Sequence, residues 1–379
     1  MLDNEYPPLG GGTGVVNEHL LIEMASYPDI TVDLVTSSRT ATEYETHRMS
    51  ERITMYKVPV DNRNIHHSTN VELLRYSWRG LRFARKLLSR EVYQLSFAFA
   101  GVPAGVMSYA LKLSHGLPYI VSLQGPDVPG FEARYNYLYP ALKPLLRIIW
   151  KNAAFVTAIS REHRDLALRA LPSLTIPIVY NGVDTAQFHP ADTPRACDTL
   201  TLLCVGRLIE RKGQHHLLRA FGRLRALQQQ PPRLILAGTG DAHASLQKLA
   251  QDLGITDAVD FLGFVPREQM AALYRQTDIF VLPSQNEGMS IALLEAMASG
   301  LPVVVTQTGG TSELVSDAIN GRVVQWADVD GLTNALAPMV SDAGLRQRMG
   351  RTGRERAERF SWPEITREYL RLFEQVARR

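Results

Sequence analysis

The sequence predicts an α/β protein of two doubly wound domains, and three observations carry that prediction. Its 379 residues are more than one ordinary hydrophobic core holds and suit two. Short apolar, β-branched runs alternate with longer amphipathic segments, the pattern of parallel sheets covered by helices. A turn-rich, aperiodic stretch, Phe188-His-Pro-Ala-Asp-Thr-Pro-Arg, breaks that alternation near the middle and reads as a linker.

In the first half the spacing predicts strands over 31–35, 53–58, 93–97, 119–123, 155–159 and 176–179, with helices between them, such as 73–88 and 102–113. A glycine run, Gly10-Gly11-Gly12-Thr13-Gly14, opens the first helix. Met1-Leu2-Asp3 is all that precedes Pro7-Pro8. The first strand of a doubly wound sheet is usually central, so the expectation is either a very short strand or a start that lies upstream. The second half predicts strands over 200–205, 234–237, 259–262, 279–282 and 302–305, and helix from about 328 onward. The expected division is 1–189, a linker at 190–198, 199–360, and a final helical segment at 361–379.

Composition narrows the classes. Apolar residues make up 45% and charged residues 21%, as in folded globular proteins. With 41 basic and 38 acidic residues the net charge is only +3, so no nucleic-acid partner is expected. Cys197 and Cys204 are too few for a disulfide framework and lack metal-ligand spacing; no metal site and no cofactor are expected. No apolar run reaches the roughly 18 residues of a membrane span, and Asp3, Glu5 and two prolines stand where a signal peptide has its apolar core. A cytoplasmic location follows as an expectation.

Two segments carry chemistry. After a strand ending in Leu282-Pro283-Ser284 comes Asn286-Glu287-Gly288-Met289-Ser290-Ile291-Ala292-Leu293-Leu294-Glu295. Glu287 falls in the loop, Gly288 permits close backbone approach, and a helix beginning near Met289 aims its free amides into the same space. Glu295 lies about two turns on, about 10 Å at the helical rise, so the two carboxylates can hold different parts of one extended ligand. The plainer reading is an amphipathic helix with solvated glutamates. The other segment is Val205-Gly206-Arg207-Leu208-Ile209-Glu210-Arg211-Lys212-Gly213, where Arg207 and Lys212 flank a strand-to-helix turn. A guanidinium fork and an ammonium there suit a diphosphate without a metal; the alternative is a basic surface loop.

In this order these residues resemble the retaining GT-B glycosyltransferases of family 4. The spacing of Glu287 and Glu295 is that family's E-x7-E motif, and Gly206-Arg207…Lys212-Gly213 resembles its diphosphate site. Tyr6-Pro-Pro-Leu-Gly-Gly-Gly, Tyr180-Asn181-Gly182-Val183-Asp184, Ala237-Gly238-Thr239-Gly240, Phe261-Leu262-Gly263-Phe264-Val265 and Thr308-Gly309-Gly310…Glu313 match as well. The resemblance implies two Rossmann-like domains facing across a cleft, the N-terminal one binding acceptor and the C-terminal one binding a nucleotide-sugar. It also implies a final helix that crosses back to the N-terminal domain. It assigns Arg207 and Lys212 to the diphosphate, Glu295 to the ribose, and Glu287 with Gly288, Met289 and Ser290 to the donor sugar and phosphate. Phe264 and Val265 would lie against the base, Gly206 and Gly238 beside the donor, and Gly12 against donor phosphate or acceptor.

Gln124 stands where many relatives carry a histidine. It can hydrogen-bond a hydroxyl but cannot exchange protons near neutral pH; Asp127 beside it is either a sugar or acceptor contact or an ordinary turn aspartate. His66, His67, His163, His215 and His216 show no ligand pattern and read as surface or packing residues. The expected activity is transfer of a hexose-type sugar from a UDP or GDP donor to a saccharide or lipid-linked acceptor, without a metal and with retention, in polysaccharide or glycolipid synthesis. A nucleotide-sugar epimerase or a non-catalytic nucleotide-sugar-binding protein are the alternatives. A dehydrogenase is disfavoured, because the second strand does not end in the acidic residue that a dinucleotide site needs. The basic and aromatic stretches 74–90 and 134–151 raise the expectation of peripheral contact with an anionic membrane.

Overall fold

Residues 1–62, 64, 68–132, 136–191 and 199–378 are described by a computed structural model of the chain. It divides into two units, Met1–Asn181 with Trp362–Arg379, and Gly182–Ser361. In the first unit the elements run α1 (Gly12–Met24), β1 (Val32–Ser38), β2 (Glu45–Arg48), β3 (Ile53–Pro59), α2 (Asn70–Leu88), β4 (Ser96–Phe99), α3 (Val106–His115), β5 (Tyr119–Leu123), α4 (Tyr139–Asn152), β6 (Phe155–Ala158) and α5 (Arg161–Ala170). Strands β1 and β3 pair in parallel with β2 antiparallel at the edge, and β4, β5 and β6 form a parallel set.

Leu2 joins the two sets. It bridges Val35 on one side and Ala98 on the other; its amide donates to Phe97 O at 2.8 Å and its carbonyl accepts from Phe99 N at 3.1 Å. Leu2 thus holds the central position as a bridging residue rather than as part of a longer strand. Every residue of β4 and β5 is buried, which is why these runs read as continuously apolar rather than alternating.

The second unit contains β7 (Thr201–Val205), α6 (Gln214–Ala226), β8 (Arg233–Ala237), α7 (His243–Asp252), β9 (Val259–Gly263), α8 (Arg267–Arg275), β10 (Ile279–Leu282), α9 (Ile291–Ala298), β11 (Val303–Thr306), α10 (Gly309–Leu314), β12 (Gly321–Val324), α11 (Val329–Ser341) and α12 (Ala343–Ala357). Its six strands lie in the order β12-β11-β10-β7-β8-β9, all parallel. The chain starts at β7, steps outward to β9, then returns to β10 on the other side. That reversal opens a crevice at the carboxyl ends of β7 and β10.

The last helix, α13 (Trp362–Ala377), belongs to the first unit. Trp362 stacks on His19 of α1 with ring centroids 5.0 Å apart, and the Tyr369 hydroxyl meets Ser122 Oγ at 2.9 Å.

Some expected boundaries move. The chain changes unit at Asn181/Gly182 rather than at 189, because the segment after Asn181 is already tied to the second unit. The Val183 amide donates to Phe360 O at 2.8 Å, Phe188 is fully buried, and a Cβ on Gly300 would meet Pro190. Of the expected linker, residues 192–198, Cys197 included, lie outside the described residues, as do His66 and His67. The expected strand at 93–97 begins later, at Ser96, and 176–179 contributes only the Ala158–Ile178 bridge. Edge strands β2 and β12 carry too few apolar residues for the pattern to signal them. Among the described residues no helix is long and apolar enough to cross a membrane.

Candidate functional site

Two loops meet at the crevice of the second sheet. The loop after β7 makes a single 3₁₀ turn, Glu210–Lys212, and Gly213 then starts α6 in a left-handed conformation, φ 69°. The loop after β10 carries Gln285, Asn286 and Glu287. Gln285 N donates to Arg211 O at 2.8 Å and Arg211 Nη1 donates to Asn286 Oδ1 at 3.2 Å, so the loops are stitched backbone and side chain. This seats Lys212 Nζ 2.5 Å from Glu287 Oε1, with both side chains largely buried. Burial raises the carboxyl pKa of Glu287. The Lys212 charge and hydrogen bond outweigh that effect and hold it below the usual glutamate value.

The floor beside this pair is bare backbone. Gly206 and Gly238 end β7 and β8 with φ of 155° and 141°, and a Cβ on Gly238 would stand 2.0 Å from Gly206 O. A side chain at Gly238 would both strain the turn and collide with the Gly206 carbonyl. On the other side Gly310 N donates to Glu287 O at 3.1 Å, drawing the loop after β11 against Gly288. Arg207 is half-buried, and its carbonyl accepts from Gln214 Nε2 at 3.0 Å.

Helix α9 begins at Ile291, two residues later than the sequence suggested, because Ser290 is its N-cap and accepts from Leu293 N at 3.3 Å. Glu287 therefore precedes the helix by a non-helical step, and the helical rise does not measure its distance to Glu295. Glu295 is buried in α9 with both oxygens engaged. Arg267 Nη1 of α8 meets Oε1 at 3.1 Å and the Tyr274 hydroxyl donates to Oε2 at 3.1 Å. Burial lifts the Glu295 pKa above the usual value, and Arg267 only partly offsets it. The Arg267 guanidinium lies 5.8 Å from the centroid of the Phe188 ring. Phe264, just past β9, is 67% exposed; Val265 is half-buried and Met289 buried.

Sequence reasoning missed Arg267, Tyr274 and Phe188. Tyr274 falls in an apolar helical pattern and Arg267 looks like any exposed residue of a first turn. Only the fold brings them to Glu295.

In the first unit, Gly12 is exposed at the start of α1, and Gln124 follows β5. Gln124 Nε2 donates to Ser122 Oγ at 2.8 Å, which continues to Tyr369. Asp127 is a turn aspartate. Its Oδ2 accepts from Gly101 N at 2.9 Å, while Oδ1 accepts from Gly125 N at 2.9 Å and Gln124 N at 3.3 Å. Burial still raises its pKa. These bonds hold the loop that carries Gln124. His163 is fully buried against Phe131, and burial lowers its pKa to about 4.

Comparison with known proteins agrees with this architecture. Residues 10–187 match the sequence model of Glycosyltransferase Family 4, and residues 186–356 match that of Glycosyl transferases group 1. A GDP-mannose-dependent alpha-(1-6)-phosphatidylinositol monomannoside mannosyltransferase of Mycolicibacterium smegmatis is 28% identical over 379 residues, covering 96% of this chain and 94% of that protein. Among solved structures, a sucrose-phosphate synthase from Thermosynechococcus elongatus superimposes with TM-score 0.83 at 20% identity, covering 97% of this chain and 94% of that one. An Anabaena protein crystallised with UDP and glucose does so with TM-score 0.76 at 19% identity, covering 98% of each chain. Two matched models that together run from residue 10 to 356, on two doubly wound units, place the chain among the GT-B glycosyltransferases of family 4.

Proposed function

We propose that the protein transfers a hexose-type sugar from a UDP or GDP donor to a saccharide or lipid-linked acceptor, with retention and without a metal, in the cytoplasm. The observation that carries this reading is the Lys212–Glu287 pair at the sheet reversal, set between the bare Gly206–Gly238 floor and the N-terminus of α9. Arg207, Lys212 and the backbone amides of Met289 and Ser290 stabilise the charge that develops on the departing diphosphate. Glu287 and the Gly288 backbone hold the sugar, Glu295 takes the ribose hydroxyls, and Phe264 with Val265 flanks the base. The anomeric bond breaks with its electron pair going to the diphosphate. The acceptor hydroxyl attacks from the same face and gives its proton to the leaving phosphate. Gln124 contributes a hydrogen bond to sugar or acceptor, and Gly12 faces phosphate or acceptor.

GDP-mannose is the first donor to try, since the mycolicibacterial relative is named for it and matches over nearly its full length. The test is nucleotide release from UDP- and GDP-sugars with EDTA present, comparing the wild type with Lys212→Ala. One donor should turn over in EDTA, and the variant should lose roughly 10²–10³ in rate, the usual cost of deleting one transition-state charge contact. NMR of the product should show a retained anomeric configuration. Strict metal dependence, an inverted product, or an unimpaired variant overturns the reading.

A further inference from the structure

Helix α2 buries one face and leaves apolar side chains of the other exposed. Inward, Tyr76, Gly80 and Ala84 are buried, and the Tyr76 hydroxyl donates to Val35 O at 2.8 Å. Outward, Val71, Leu74 and Trp78 are 57%, 70% and 65% exposed, at helical spacing along one stripe. Tyr44, stacked on Phe83, stands beside them. These four residues with Arg75, Arg79 and Arg82 line an open groove of about 540 Å³.

Cations dominate this face, with Arg75 Nη1 paired to Asp61 Oδ2 at 3.8 Å. Residues 74–90 hold Arg75, Arg79, Arg82, Arg85, Lys86 and Arg90 and no acidic side chain. The acid of the helix itself, Glu72, is buried in the capping box with Thr69. Arg79 donates to the carbonyls of Ala41 and Pro59 at 2.8 and 2.6 Å, which anchors the side chain without cancelling its charge. The Arg82 guanidinium lies 6.0 Å from the centroid of the Trp78 ring. Exposed aliphatic and indole groups interleaved with cations match an interfacial helix, where phosphates meet the cations and the apolar tips enter the headgroup boundary. A nucleic acid would reward the arginines but gain nothing from Val71 and Leu74.

The second expected stretch, 134–151, is built differently. Tyr139 and Trp150 are buried, and Arg147 Nε donates to Ala170 O at 2.7 Å. Arg134 and Tyr135 lie outside the described residues.

We propose that the outward face of α2 is the surface by which the protein docks on anionic lipid. Leu74 and Trp78 insert, and Arg82, Arg85 and Lys86 pair with headgroup phosphates. This deepens the lipid-linked acceptor class above and rests on it only for its use. Docking needs no donor, so loss of docking and loss of transfer are separate outcomes.

The test is co-sedimentation of the full chain with phosphatidylglycerol–phosphatidylcholine vesicles and with pure phosphatidylcholine vesicles, at low and high salt. Tryptophan emission is read alongside, because Trp150 and Trp362 are buried, Trp326 is half-buried, and Trp78 reports the face directly. Binding to the anionic vesicles alone is expected, weakened by salt and accompanied by a blue shift that Trp78→Phe abolishes. Replacing Arg82, Arg85 and Lys86 with glutamine should weaken binding by on the order of a hundredfold, with the thermal midpoint and nucleotide release unchanged. Equal binding to both vesicles, no binding at low salt, or wild-type binding by the triple variant overturns the proposal. So does a Trp78 shift produced by single-stranded RNA at comparable affinity.

Discussion

Lys212 and Glu287 are 75 residues apart in sequence and 2.5 Å apart in space, whereas Glu295 faces Arg267 and Tyr274. The two glutamates therefore have opposite electrostatic standing. Glu287 has a depressed pKa, so its contribution to stability is present above the ordinary glutamate value and is lost as pH falls through the folded-state value. Glu295 has a raised pKa, so its contribution is present at low pH and is lost as pH rises through its folded-state value. In urea unfolding at neutral pH, Glu287→Gln should cost about 3 kcal/mol, as expected when one partner of a buried pair is removed. Glu295→Gln should leave stability equal or higher. The acid limb of the pH–stability curve should flatten in the Glu287 variant alone; equal losses in both variants would refute this assignment. The spacing of the two glutamates was legible in the sequence because both belong to one local segment. Their partners were not, since pairing across 75 residues depends on strand order, which local periodicity does not encode.

At the scale of elements, the site depends on one 3₁₀ turn being held against the loop after β10. Gly213 closes that turn at φ 69°, and a Cβ there would lie 2.0 Å from Pro283 O. Gly254, which follows α7, has nearly the same φ, 67°, but a Cβ there would meet nothing within 4 Å. The pair separates backbone strain from collision. Gly254→Ala should cost about 1 kcal/mol, the left-handed penalty alone. Gly213→Ala should cost at least about 3 kcal/mol, because the clash with a backbone carbonyl adds to that penalty. It should also weaken nucleotide binding by displacing Lys212. Thermal midpoints and nucleotide titrations of the two variants check this, and equal midpoints would show that the loop yields freely. The glycines here read as turns from sequence alone. Which of them bears a close approach became visible only once β7 and β10 were neighbours. The four-residue edges β2 and β12 stayed hidden for a related reason, since strands this short with so few apolar residues carry too little pattern to register.

For the whole molecule, the duplication of two α/β units was legible because each half repeats the alternation of apolar strand and amphipathic helix. Local periodicity did not place the last helix, which follows the second unit in sequence yet completes the first, as the family resemblance implied. Trp362, Ile365, Tyr369, Leu370 and Val376 are all buried there, and Phe97 of β4 packs on both Tyr369 and Phe373 with centroids 5.0 Å apart. At roughly 1.5–3 kcal/mol for each large apolar side chain, removing α13 withdraws about as much free energy as a domain's whole margin of about 5–15 kcal/mol. A chain ended at Ser361 should therefore lose the native first unit and keep the second. Limited proteolysis should degrade residues 1–181 while leaving a resistant core from 182 to 361. That core should still bind whichever of UDP or GDP the intact protein binds, because Arg207, Lys212 and Glu295 all lie within it. A truncated chain that resists protease throughout would mean that the first sheet closes without α13, and that the Trp362–His19 stack and the Tyr369–Ser122 bond decorate a unit already stable. Loss of both units together would mean that the second sheet relies on the first for its stability, and the donor site could not then be studied alone.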